Sequence, residues 1–237
     1  MKTNAITLLV LFFALGFTQA SFAKHVKGSG HLIKETRDLS SFHALDIGGA
    51  WNIELIKSDE EKIIIETDDN IMPYVISKVS GGELEVYNKV DINNPTELNL
   101  SIYYKNIDDL NISGAAELFS SDVLKCESLK ADFSGAAEIT LHIEVKNMEG
   151  DFSGASKVEL EGRGGDVELD ISGAANFRAY GLEIQVLDLE ASGAAVVKVL
   201  VLKKLTVDAS GASSVRYKGS PEINVEDVSG ASSFRKG

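Results

Sequence analysis

KADFSGAAEIT (Lys130–Thr140) and GDFSGASKVEL (Gly150–Leu160) share the centre Asp-Phe-Ser-Gly-Ala at an offset of 19 residues. Ser-Gly-Ala recurs at Ser113, Ser134, Ser153, Ser172, Ser192, Ser210 and Ser229, at intervals of 18 to 21 residues. An eighth, degenerate copy is Asp46-Ile47-Gly48-Gly49-Ala50. A period near 19 is too long for a heptad and too short for helix-pair repeats, which leaves a solenoid with one supersecondary unit per repeat.

Within a repeat the side chains alternate with period two. Val167, Leu169 and Ile171 are interleaved with Glu168 and Asp170, and Leu187, Leu189, Ala191 and Leu205, Val207, Ala209 repeat the layout. That alternation reads as half-buried strand, and no repeat holds a ten-residue helical pattern. The fold class expected is therefore all-β, a single-stranded parallel β-helix with about 19 residues per coil, each strand pairing with its equivalent one coil away. Ser-Gly-Ala is then a corner repeated at every level. Gly114, Gly135, Gly154, Gly173, Gly193, Gly211 and Gly230 supply backbone angles that other residues resist, and Ser can bond a turn amide.

The chain divides into 1–23, a leader, and 24–237, a single β-helix domain. Lys2, the apolar run from Ile6 to Phe17 and Ser21-Phe22-Ala23 form a secretory signal peptide, with cleavage expected after Ala23. Residues 24–109 hold irregular coils that serve partly as a cap, and 110–237 hold the regular Ser-Gly-Ala coils. The stretch between Gly49 and Gly114 has room for about three coils, giving nine to eleven in all. A short helical or loop excursion is expected around Pro73. No later stretch is apolar enough for an integral membrane segment. Cys126 stands alone, so it forms no internal disulfide and is expected to be a small buried residue. The net charge of −13, one unit more negative without Lys2, argues against nucleic acid as a partner.

The N-terminal phrases SSFHALDIGGAWNIELI (40–56), IIIETDDNIMPYVISKV (63–79) and GGELEVY (81–87), followed by the Ser-Gly-Ala coils, resemble the head GIN domain family of putative auto-transporter adhesins. The similarity spans about Phe42 to Phe234. It implies a right-handed β-helix, exported to the periplasm, the outer-membrane surface or the medium. It carries over no catalytic residues, and the chain shows no run of alternating membrane strands for a translocator barrel.

Two outward ladders emerge when the coils are aligned. Two positions before each Ser stand Asn111, Asp132, Asp151, Asp170, Glu190, Asp208 and Asp227. Their repulsion is offset either by capping hydrogen bonds to the corner amides or by Ca2+, for which Asp132, Asp151, Asp170 and Asp208 are the candidate ligands. No other cofactor is expected. Six positions after Ser the ladder reads Phe119, Thr140, Glu159, Arg178, Lys198, Arg216 and Arg235. Arg178, Lys198, Arg216 and Arg235 either neutralise the acidic ladder or form a stripe that binds an acidic glycan or an envelope anion, with Tyr180 and Tyr217 near enough to stack on sugar.

The function expected is a non-catalytic, adhesin-like binding module whose partner is a glycan or an envelope or surface protein. A polysaccharide-active β-helix enzyme and a self-assembling envelope subunit are the alternatives. No His recurs with the repeat to partner its serines. The paired acids Asp68-Asp69 and Asp108-Asp109 read as solvated loop residues rather than a catalytic cluster.

Overall fold

A computed structural model describes residues 25–237; the leader and its cleavage point lie outside them. The chain is a β-solenoid of about 7 turns with about 19 residues per coil. Its repeating strands pair in parallel and in the register that the repeat demands. Asp132 lies beside Asp151, Asp151 beside Asp170 and Asp170 beside Glu190.

The corner is built from backbone. Gly154 sits at φ +78, and the other repeat glycines adopt similar positive angles. The N–H of the following alanine donates to the glycine carbonyl one level below, as in Ala136 to Gly114, Ala155 to Gly135 and Ala174 to Gly154, each at 2.8 Å. The glycines thus form a hydrogen-bonded column along one edge.

Inside, two side-chain columns face each other across this corner. One runs Ile47, Ile112, Phe133, Phe152, Ile171, Ala191, Ala209; the other runs Ile53, Leu118, Ile139, Val158, Phe177, Val197, Val215. As the first column narrows from Phe to Ala, the second swells at Phe177. The Phe133–Phe152 and Phe152–Phe177 ring centroids are 5.3 Å and 5.2 Å apart. Complementary sizes keep the interior filled at constant backbone spacing.

The N-terminal part departs from the expected coil count. Ala44–Gly49 pairs directly with Asp109–Gly114, placing Asp46 beside Asn111 and Gly49 beside Gly114. The intervening residues therefore leave the stack instead of adding three coils between these levels. Glu83–Asn88 and Leu98–Tyr104 return parallel beneath Ala44–Gly49 and Asn52–Lys57. Antiparallel strands then finish this end. Val75–Ser80 pairs with Glu83–Asn88, and Lys62–Asp68 lies between Leu98–Tyr104 and Leu32–Asp38. Antiparallel partners fill the edge groups that a bare coil would expose. The turn at Pro73 is a short 3-10 helix, Met72–Tyr74. No helix of the described residues is long and apolar enough to cross a membrane.

Two residues differ from expectation. Cys126 is half-buried rather than buried, and burial, with Asp108 adding, pushes its thiol up to about 11. Tyr217 faces the interior and stacks on Phe234 at 5.1 Å. It continues the inward column Ala179, Val199 and so offers no sugar-stacking surface.

Candidate functional site

The acidic ladder is real and longer than the repeat alone suggests. Glu85 stacks beside Asp46, Asp46 beside Asn111, and the series continues through Asp132, Asp151, Asp170, Glu190 and Asp208 to Asp227. The capping expected for these carboxylates is not what the corner shows. The Ser153 and Ala155 amides donate to Phe133 and Gly135 carbonyls of the neighbouring coil, and no hydrogen bond among the described residues joins Asp132, Asp151, Asp170 or Asp208 to a corner amide. Nor does the ladder assemble a calcium cage. It supplies one carboxylate per level, and no group of three or more His, Cys, Asp or Glu side chains among the described residues is placed to hold a metal, whereas Ca2+ takes six to eight oxygens.

The repulsion is therefore carried by the fold. Burial and then the Asp132 and Asp170 charges raise the Asp151 carboxyl above its ordinary value, and burial and then Glu85 do the same at Asp46. A raised carboxyl favours the protonated folded state, so ionisation at neutral pH costs stability. Asp151→Asn should raise the unfolding free energy by roughly 0.5 kcal/mol at neutral pH and low salt, an exposed interaction screened by solvent. The gain should vanish as pH falls below the ordinary carboxylate range. Urea unfolding at the two pH values checks this, and a neutral-pH loss of stability would contradict it.

Sequence alignment on the Ser missed a second acidic column on the same sheet. Asp109, Lys130, Glu149, Glu168 and Asp188 stack four positions before the corner serines. With the apolar floor of Leu129, Met148 and Val167 they line a groove of about 550 Å³. Counting back four residues from each Ser reveals it.

The basic stripe lies on the strand beyond the corner. Glu159, Arg178, Lys198, Arg216 and Arg235 stand side by side in register on successive levels. Elsewhere several cations pair with a carboxylate one coil away, Lys125 with Glu144 at 2.7 Å, Lys146 with Glu127 at 2.5 Å and Lys157 with Glu138, and the His142 ring bonds Glu161 at 2.6 Å, whereas Lys130 and Arg163 stand beside acids in register without pairing among the described residues. The four cations of the stripe form no ion pair among the described residues, so they do not neutralise the acidic ladder. The polar contact of Arg178 is neutral, from Nε to Asn176 Oδ1 at 3.3 Å. Stacked like charges repel by roughly 1 kcal/mol per adjacent pair even in water.

The stripe has an aromatic neighbour. The register shifts after Ala179, so Tyr180 and Gly181 bulge from the coil. Lys218 Nζ lies 4.3 Å above the Tyr180 ring. Arg178, Lys198, Tyr180, Gly181, Glu159 and Glu161 line a cleft of about 290 Å³. Of the two tyrosines considered on sequence, only Tyr180 belongs to this surface.

Residues 41–221 match the family model described as putative auto-transporter adhesin, head GIN domain. Solved structures share the fold. A putative adhesin from Parabacteroides merdae is 21% identical, with TM-score 0.76 over 90% of this chain and 99% of that one. A putative adhesin from Bacteroides fragilis is 19% identical, with TM-score 0.78 over 89% and 95%. A protein from Parabacteroides distasonis described as a putative lipid binding protein is 18% identical, with TM-score 0.67 over 90% and 99%. No curated protein matches the chain.

Proposed function

Because the chain belongs to the head GIN domain family of putative auto-transporter adhesins, we propose that it is an exported, non-catalytic binding module that holds an acidic glycan or envelope polyanion along Arg178, Lys198 and Arg216. One observation carries the reading. On a protein of net charge −13, Arg178, Lys198 and Arg216 stand side by side on successive levels and form no ion pair among the described residues, although several cations elsewhere pair with an acid one coil away. Such an arrangement costs stability and is relieved by an anion with repeating charge. Guanidinium groups bind carboxylates and sulfates in a bidentate manner, and the Tyr180 ring borders the same cleft with an apolar face for a sugar. Residues 1–23 supply the export signal, and the periplasm, the outer surface and the medium are its destinations.

A glycan array probed with residues 24–237, in calcium and in chelator, tests the proposal. Uronic or sulfated glycans should bind in both conditions and weaken as salt rises. Arg178→Ser/Lys198→Ser/Arg216→Ser should lose at least about tenfold in affinity. Retention by neutral glycans only, or acidic binding that the triple variant keeps, would refute it.

A further inference from the structure

We infer that a cleft at the foot of the glycine corner column binds a neutral sugar residue through Ala50, Trp51 and Asn88. In seven copies of the corner the alanine amide donates to the glycine carbonyl one level below, from Ala115 on Gly49 at 3.0 Å to Ala231 on Gly211 at 2.7 Å. The remaining copy, Gly48-Gly49-Ala50, has no such partner beneath it. Glu83–Asn88 pairs with Ala44–Gly49 only as far as Val86, opposite Ile47, and the Lys89 amide then donates to the Tyr74 carbonyl at 3.0 Å. The chain turns aside before it supplies a corner, and the Ala50 amide has no backbone acceptor among the described residues.

Where that corner would stand there is a cleft of about 420 Å³, with Gly49, Ala50, Tyr87, Asn88 and Pro95 in its walls. Its size is that of a small-ligand site. Two polar atoms beside it are buried without a hydrogen-bond partner among the described residues, Trp51 Nε1 and Asn88 Oδ1. Trp51 itself is fully buried. Gly49 explains how both groups reach the cleft. A Cβ there would stand 3.1 Å from Trp51 Nε1 and 3.6 Å from Asn88 Nδ2, so the absence of a side chain leaves the two polar heads around one point. A buried donor and a buried acceptor left unpaired cost stability, and a ligand that pairs both recovers it.

The groups select the ligand. The Ala50 amide and the indole N–H each offer a proton to an oxygen, and Asn88 Oδ1 needs a donor beside them. A hydroxyl does both at one atom, and hydroxyls on neighbouring sugar carbons extend the match to all three partners. A trans peptide directs its N–H and C=O to opposite sides, so one peptide group does not serve both. Tyr87, which keeps 37% of its surface, and Pro95 offer apolar contact to a sugar ring. The charged side chain in the lining is the Asp91 carboxylate, and no cation joins it, which disfavours an acidic sugar. The site is separate from the basic stripe: the column that holds Arg178 passes Glu54, Phe119, Thr140 and Glu159 before reaching it.

Trp51 is the one tryptophan of the chain, so its indole N–H gives a single resonance that reports on the cleft. Isotope-labelled residues 24–237, titrated with the methyl glycosides of glucose, galactose, mannose and N-acetylglucosamine, test the inference by NMR. At least one glycoside should move the indole and Ala50 N–H signals saturably at millimolar concentration, and methyl glucuronide should move them less. Asn88→Leu and Tyr87→Ala, in separate chains, should each weaken that binding about tenfold. Asn88→Leu also removes an unpaired buried oxygen, so its unfolding midpoint should hold or rise, which separates lost binding from a damaged fold. Arg178→Ser/Lys198→Ser/Arg216→Ser should bind the glycosides unchanged, so this site and the stripe fail independently. No shift with any glycoside, or binding that both Asn88→Leu and Tyr87→Ala keep, would overturn the sugar. So would a response to acetyl-Ser-Gly-Ala-amide alone, which would make the occupant a peptide.

Discussion

Gly154→Ala is expected to lower the unfolding free energy by about 3 kcal/mol or more. Gly154 sits at φ +78, where an L side chain is strained. A Cβ there would also stand 2.3 Å from the Gly135 carbonyl oxygen. That oxygen is backbone and accepts the Ala155 amide at 2.8 Å, so it cannot move without opening the corner column. Each level contacts only its neighbours, so the defect divides the stack and should broaden or split the transition. Denaturant unfolding followed by circular dichroism measures it, with Ala155→Ser at the exposed adjacent position as the control. A Gly154→Ala midpoint equal to the control's would show that the corner tolerates a side chain.

Asp68→Ala should cost about 3 kcal/mol, since it strands several donors at a buried site. Asp68 is fully buried and accepts from the Gly30 amide at 2.7 Å, the Thr96 amide at 2.7 Å and the Thr96 hydroxyl at 2.8 Å. It fastens the N-terminal segment and the loop before Leu98–Tyr104 to the end of Lys62–Asp68. Asp69 and Asn70 extend the fastening through Ser29 and Lys27. The loss should be local as well as global, with faster amide exchange in Leu32–Asp38 than in the Ser-Gly-Ala coils.

The pH dependence of this clamp has a defined sign. Burial alone would raise the Asp68 carboxyl, but the Thr96 and Gly30 amides and the Thr96 hydroxyl together outweigh it and hold the carboxyl below its ordinary value. The stabilisation is complete above about pH 4, where the unfolded carboxyl is ionised too, and is lost as pH falls through the depressed folded value. The stability gap between the wild type and Asp68→Ala should therefore be flat from neutral pH to about pH 5 and close below about pH 4. A gap unchanged in strong acid would mean that the charge of Asp68 contributes nothing.

Much of this was readable from residues, and the exceptions share a cause. The alternation around Ser172 sets which side chains point out, and the 19-residue period sets what lies beside them, so both charge ladders are visible in the sequence. Tyr217 was legible too: seven positions after Ser the column reads Leu141, Leu160, Val199, Tyr217, all inward. Its position relative to Ser carried more information than its residue type. Asp68 was not legible. It stands where a solvated loop acid would stand, and its donors come from 38 and 28 residues away in the chain.

The sequence by itself determined the parallel solenoid, its corners and the register of its outward ladders, because a repeat that stacks on itself leaves each residue one neighbour above and one below. Tertiary structure alone decided the order of the first levels, the covering of the N-terminal end and the absence, among the described residues, of ion pairs along the basic stripe. Those depend on contacts between segments that do not repeat, where long-range packing, rather than period, selects the partner.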